Sequence, residues 1–458
     1  MVALGRIVKA YDVRGTVPDQ LDDSVARALG AAFAELTGAQ RFVVAHDMRE
    51  SGPGLARAFA AGAAAFGATA VWAGLGSTDL LYYASGALGL PGAMFTASHN
   101  PARYNGIKLC RAGAVPIGQD SGLAQVRDRA QRMLVDGVPD AEPRIEEVDL
   151  LADYAAHLRR LVDLGAIRPL KVVVDAGNGM AGLTVPAVLG DAVLPPLPLD
   201  IVELYFDLDG NFPNHEANPL EPANLVDLQR AVVRAEADLG LAFDGDADRC
   251  FVVDANGAAV SPSAITALVA ARELARHPGA TVIHNLITSR AVPDVIRENG
   301  GTPVRTRVGH SFIKAEMART GAIFGGEHSA HYYFRDFWNA DTGMLAAMHV
   351  LAELGGQPAP LADLVRRFDR YAASGEINST VDDQDERMAA VRAAFAARAS
   401  DVDELDGLTI SLDDGAWLNV RPSNTEPLLR LNVEARDAGR MAAVRDEALA
   451  VIRSGAGA

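Results

Sequence analysis

Three aspartates alternate with small residues in Asp244-Gly245-Asp246-Ala247-Asp248-Arg249, directly after the apolar run 239–243. In an extended loop, residues two apart point the same way, so the three acids can converge. Converged carboxylates repel one another unless a cation neutralises them. Hard oxygen ligands that leave other positions open suit Mg²⁺. An EF-hand does not fit, because its glycine and its distal glutamate are out of register. A solvated acidic turn is the plainer alternative, but such turns seldom follow a fully apolar strand so tightly.

A second loop lies at 94–108. Apolar Ala93, Met94 and Phe95 give way abruptly to Thr96, Ser98, His99 and Asn100, and Pro101 stops any helix. This predicts a buried strand ending in a tight polar loop, with Ser98 at its apex as a candidate nucleophile or phosphate carrier. Taken alone, a Ser/Asn/Pro turn explains it equally well. Glu327, Ser329 and His331 alternate after another short apolar run, so a carboxylate and a hydroxyl could bracket vicinal hydroxyls of a sugar. Arg421-Pro422-Ser423-Asn424-Thr425-Glu426-Pro427, with Arg430, offers hydroxyls, an amide, backbone N–H groups and two guanidiniums as a phosphate cradle. His310 opens a predicted helix, with Lys314 nearby.

These loops need rigid elements behind them. Through residue 371 the chain alternates apolar strands with helical stretches, which predicts mostly parallel sheets covered on both faces. The expected boundaries give units at 1–149, 150–256 and 257–371. A fourth unit, 372–458, reads as a small α+β domain of short strands and two helices. The fold class is therefore α/β: three α/β domains, similar in strand–helix rhythm and with mixed, mostly parallel sheets, plus the C-terminal α+β domain. The turn 176–182 is glycine-rich, but its spacing is not that of a dinucleotide-binding loop and suggests close strand–helix packing instead.

Composition limits the partners. With 458 residues and a net charge of −17, neither nucleic acid nor an anionic membrane is an expected partner. Cys110 and Cys250 are far from any C-x-x-C pattern and read as buried free thiols. The uncharged stretch 58–78 is long enough to span a bilayer, but its change of pattern at Gly67 predicts a helix followed by a strand. The N-terminus has no signal-peptide layout, so a cytoplasmic location is expected.

Taken together, Thr96–Pro101, Asp244–Arg249, Gly326–His331 and Arg421–Pro427 resemble the signature loops of the α-D-phosphohexomutase family, in order and across essentially the whole chain. Residues 9–15 are similar to the opening signature of its phosphomannomutase/phosphoglucomutase branch. The resemblance implies four domains around one cleft, with 1–149 carrying a phosphoserine, 150–256 binding metal, 257–371 binding sugar and 372–458 binding phosphate. Ser98 would be the phosphoserine. Asp244, Asp246 and Asp248 would hold one Mg²⁺, with the phosphate on Ser98 as a further ligand. Glu327, Ser329 and His331 would contact the sugar, and Arg421, Ser423, Asn424, Thr425 and Arg430 the non-reacting phosphate. His99 and Arg249 would assist at Ser98. Lys108, Arg14, His310 and His331 are candidates for the general base.

The implied reaction interconverts mannose 6-phosphate and mannose 1-phosphate, and glucose phosphates too, through a hexose 1,6-bisphosphate that also serves as activator. The sister activities on glucose or glucosamine phosphate, and a non-catalytic sugar-phosphate sensor, are the alternatives. The expected partners are hexose phosphates, and the expected state is a monomer or small homo-oligomer. Two departures stand out. His328-Ser329-Ala330 replaces a Met-Ser-Gly common among relatives, and Asn285–Thr288 lacks their basic residue, a role that could pass to His310 or Arg290.

Overall fold

The computed structural model describes residues 3–423 and 427–454, with the His310 side chain outside that description. Among the described residues the chain forms four sheets. The first runs in the order Val13–Thr16, Tyr104–Arg111, Gly92–Phe95, Arg41–His46, Thr69–Leu75, Ile145–Glu147, with Val115–Pro116 paired to the second of these. The second runs Ala259–Val260, Cys250–Asp254, Leu239–Phe243, Leu170–Asp175, Leu199–Leu204. In the third the order is Thr302–Thr306, Thr281–Asn285, Phe324–Gly326, Tyr332–Phe334, Ala340–Asp341. The fourth is antiparallel and carries the helices Gln384–Phe395 and Ala438–Arg453.

The first three sheets share a local plan. A parallel-paired strand runs into a polar loop, and the chain returns as an antiparallel strand on the same sheet. Gly92–Phe95 returns as Tyr104–Arg111, Leu239–Phe243 as Cys250–Asp254, and Phe324–Gly326 as Tyr332–Phe334. The loops between them are the serine loop, the acidic loop and the loop of Glu327 and Ser329. Leu239–Phe243 is buried along its whole length, as a strand covered on both faces should be.

Phe33, Phe42, Phe59 and Phe95 pack with ring centroids 5.5–5.9 Å apart. Each such pair is worth roughly 0.5–1.5 kcal/mol beyond its burial. Because Phe95 ends its strand, this cluster anchors the base of the serine loop. One apolar core draws residues from Val43 to Phe368, the phenylalanine cluster belongs to a second that spans Leu4 to Met133, and the C-terminal sheet has its own.

The stretch 58–78 splits as expected, into the helix Gly52–Ala64 and the strand Thr69–Leu75, and no helix among the described residues is long and apolar enough to cross a membrane. Both cysteines are buried and free.

Candidate active site

Ser98 sits at the loop apex with φ +50°, in left-handed backbone. Ala247 and Ala330, in the other two loops, also have positive φ, at 60° and 64°. Such a conformation costs a non-glycine residue roughly 1–2 kcal/mol and persists only where the surroundings impose it. Arg49 does much of the imposing here. Its buried guanidinium donates to the carbonyls of Ser98 (2.9 Å), Asn100 (2.6 Å), Pro101 (3.0 Å) and Tyr104 (2.8 Å), and it pairs with Asp47 at 3.2 Å. The Ser98 N–H donates to Thr96 Oγ1 at 2.9 Å. Arg14 reaches the same loop, donating to the Ala97 carbonyl and to Asn100 Oδ1.

The acidic loop meets the serine loop across two sheets. Ser98 Oγ donates to Asp244 Oδ2 at 2.7 Å. A Cβ on Gly245 would lie 2.5 Å from the Ser98 carbonyl oxygen, so only glycine allows this approach. Gly179 is closed in the same way, by Gly245 itself. The glycine-rich turn 176–182 therefore packs beneath the acidic loop.

All three aspartates are buried, with one oxygen from each within 4.8 Å of the others. Lys108 Nζ donates to Asp246 Oδ2 (2.6 Å) and Asp248 Oδ2 (2.7 Å), and Thr78 Oγ1 donates to Asp246 Oδ2 at 2.6 Å. The other oxygens, Oδ1 of Asp246 and of Asp248, are buried without a hydrogen-bond partner. Buried carboxylate oxygens are costly when unpaired. Two orphaned oxygens beside Asp244 are the donor set a small hard cation requires, so these residues fit a divalent metal. Asp248, His331 and Asp341 also come within 4.8 Å, but Asp341 is already paired with Lys314 at 2.7 Å.

Burial and its charges set the protonation here. Burial drives the Asp244 carboxyl up to about 7, with Arg249 opposing and the other two aspartates adding to the rise. Burial also disfavours the Lys108 charge, but Asp246 and Asp248 outweigh it and hold the ammonium well above a free lysine. Lys108 is thus a fixed cation in this arrangement rather than a ready base. His99 is pushed down to about 2, by burial and then by Arg249 and Arg14, and so is neutral. Its Nδ1 accepts from Arg249 at 2.6 Å and lies 3.2 Å from Ser98 Oγ. Arg249 also pairs with Asp244 at 2.8 Å.

In the third loop, Glu327 is buried and accepts from the Tyr333 hydroxyl and from Asn285 Nδ2 (3.2 Å). Ser329 Oγ lies 3.1 Å from His331 Nδ1. A backbone bridge between Arg249 and His331 ties this loop to the acidic loop.

A cavity of about 1240 Å³ opens between the first, third and fourth sheets, lined in part by Tyr11, Arg307, Arg421, Ser423 and Arg430. Glu376 pairs with both arginines expected to form the phosphate cradle, Arg421 at 2.7 Å and Arg430 at 3.4 Å. Asn424, Thr425 and the His310 side chain lie outside the described residues; the backbone of His310 opens the helix His310–Thr320. Arg290 faces elsewhere. It donates to the Gly415 carbonyl (2.8 Å) and Ser411 Oγ (2.7 Å) in a separate cavity of about 370 Å³.

Sequence reasoning missed Arg49, Thr78, Asn285 and Glu376 as site residues. Arg49 alone left a signal, a lone arginine in the polar loop after the apolar strand Arg41–His46.

The chain matches the phosphoglucomutase/phosphomannomutase family descriptions for alpha/beta/alpha domain I over residues 5–133, domain II over 152–257, domain III over 261–371 and the C-terminal domain over 376–451. It is 42% identical over 435 residues to a protein of Xanthomonas campestris pv. campestris described as phosphohexose mutases, covering 93% of this chain and 94% of that one. It is 40% identical over 452 residues to a phosphomannomutase of Salmonella montevideo, covering 97% and 98%. The crystal structure of a phosphoglucomutase/phosphomannomutase family protein from Burkholderia thailandensis superposes with a TM-score of 0.89 at 33% identity, covering 100% of this chain and 99% of that one.

Proposed function

The chain belongs to the phosphoglucomutase/phosphomannomutase family and is a phosphohexomutase, and from that premise we propose that it interconverts mannose 6-phosphate and mannose 1-phosphate, with glucose phosphates as further substrates. The names of the Salmonella and Xanthomonas relatives support the sugar assignment. The observation that carries the reading is the 2.7 Å contact between Ser98 Oγ and Asp244 Oδ2, made by loops of two different sheets.

Ser98 carries a phosphoryl group and gives it to the free hydroxyl of a hexose monophosphate, forming the 1,6-bisphosphate. The sugar reverses, and Ser98 recovers the phosphoryl group from the other end. Asp244, Asp246 and Asp248 would hold Mg²⁺, which when bound neutralises charge on the transferring group. Lys108 clamps Asp246 and Asp248 through their Oδ2 atoms and so orients their Oδ1 atoms. Arg249 adds a fixed positive charge beside Ser98.

Glu327, Ser329 and His331 bind sugar hydroxyls. Arg421, Arg430 and Ser423, with Asn424 and Thr425, hold whichever phosphate is not reacting. One cradle must accept either end of the sugar, so it is built from arginines, which recognise a phosphate without regard to its carbon. The surrounding domains exclude water that would hydrolyse the phosphoserine. Arg14, His310 and His331 remain the candidates for the sugar's general base. We place the domain boundaries near 149, 256 and 371, and the enzyme in the cytoplasm as a monomer or small homo-oligomer.

A coupled assay with mannose 1-phosphate, glucose 1-phosphate and glucosamine 1-phosphate, with Mg²⁺ and a trace of hexose 1,6-bisphosphate, tests the reading. Mannose 1-phosphate should give the highest kcat/KM. Preference for either other sugar would overturn the mannose assignment.

A further inference from the structure

Three side chains in a row, Glu327, Asn285 and His328, determine where one histidine proton sits. Glu327 is the first. A carboxylate only accepts hydrogen bonds, so the Asn285 amide beside it must present its nitrogen. Asn285 Nδ2 donates to Glu327 Oε2 at 3.2 Å and lies 2.9 Å from His328 Nδ1. The reverse amide orientation would set two acceptors against each other. Asn285 keeps this orientation although its Oδ1 is then buried without a partner. With Nδ1 of His328 accepting, the ring proton must be on Nε2.

The surroundings keep His328 in that neutral form. Burial pushes its pKa down to about 3, and the charges of Arg421, His331 and Arg430 act in the same direction. His328 is only half-buried, and its Nε2 has no hydrogen-bond partner among the described residues. A donor thus stands unused among the described residues, on a ring that feels the charges of Arg421 and Arg430.

We propose that His328 is a substrate-binding residue whose Nε2–H, fixed by the Glu327–Asn285 relay, donates to an oxygen of the non-reacting phosphate of a hexose phosphate. This rests on the mutase reading above and adds a contact to it. The ligand is an anionic oxygen rather than a sugar hydroxyl because the charges acting on the His328 ring include those of Arg421 and Arg430, and guanidiniums gather phosphate. A methionine at this position could not donate at all. The contact is the same in the ground state and the transition state, so its loss should appear in KM rather than in kcat.

The test uses Ser98→Ala, which cannot turn over, as a background for calorimetric binding of mannose 1-phosphate. Adding His328→Met should weaken binding about tenfold, the size of one hydrogen bond to a charged group. Adding His328→Gln, whose amide N–H falls near the position of Nε2–H, should stay within about threefold of the background. In the otherwise wild-type enzyme, His328→Met should raise KM while kcat changes less than about threefold. Nitrogen-15 imidazole spectra of the wild-type protein should show the Nε2-protonated form from pH 5 to 8 without titration. Undiminished binding by the Met variant, equal weakening by Met and Gln, or a ring that titrates near 6.5 would each overturn the proposal. Failure of the mutase reading would appear separately, as no turnover by the wild-type enzyme.

Discussion

Arg49 shows how a side chain committed to backbone carbonyls can set the chemistry. Its guanidinium spans four carbonyls of the serine loop and holds Ser98 in left-handed backbone. Lysine keeps the charge but not the fork. Arg49→Lys should lower kcat about 100-fold, the usual cost of misplacing a reacting group by an ångström, while KM in the coupled assay changes much less. Lys108 is the second case. Lys108→Met leaves two buried carboxylates facing each other, and breaking a buried pair costs roughly 3–5 kcal/mol. The variant's Tm should fall, and Mg²⁺ should recover part of the loss; a Tm indifferent to Mg²⁺ would contradict the metal assignment. Ser98 and the three aspartates were legible in the sequence because polar side chains follow apolar strands there without a break. Arg49 and Glu376 were not, since folding supplies their partners: loop carbonyls for one and distant arginines for the other.

At the scale of elements, the repeated plan of parallel strand, polar loop and antiparallel return explains why three loops far apart in sequence converge. The rhythm of strands and helices was readable, but the repeat was not, because it lies in the direction of return rather than in residue types. The strands Ile145–Glu147 and Ala399–Asp403 escaped for a different reason: they are largely exposed and carry few apolar side chains. One helix start joins three units. Asp79 Oδ2, in Thr78–Leu88, accepts from Tyr154 (2.7 Å) and Thr342 (2.7 Å), and Ser77 donates to Oδ1. Burial raises its carboxyl to about 6, against the effect of those three donors. The folded state therefore binds this proton more tightly than the unfolded chain does. Asp79's contribution to stability is greatest below about pH 4 and falls as pH rises to about 6, by roughly 3 kcal/mol for a shift of about two units. In Asp79→Asn that slope should vanish, so the difference between wild-type and variant unfolding free energies should change between pH 4 and 6 and be flat above. A constant difference across that window would contradict the assignment.

Across the whole molecule, the C-terminal domain has its own core and makes polar contacts with the third unit, among them Arg305 with Asp403 and the Val308 N–H with Asp406 at 3.1 Å. Arg290 makes others. Its backbone N–H donates to Glu434 at 3.0 Å, while its guanidinium holds Ser411 and the Gly415 carbonyl. Arg290→Ala should loosen the cradle's seat without touching Ser98, raising KM several-fold at nearly constant kcat and speeding proteolysis near 372–376. Charge patterning at this scale was poorly legible. A net −17 hid a cleft that gathers Arg307, Arg421 and Arg430 from separate domains.

The central claim is that Ser98 ferries a phosphoryl group. Peptide mapping of enzyme quenched after treatment with hexose 1,6-bisphosphate and Mg²⁺, then again after adding excess mannose 6-phosphate, tests it most directly. Phosphate should be found on Ser98 in the first sample and should exchange through mannose 1,6-bisphosphate in the second. Full turnover with Ser98 unphosphorylated in both samples, or with the phosphate on another residue, would contradict the account.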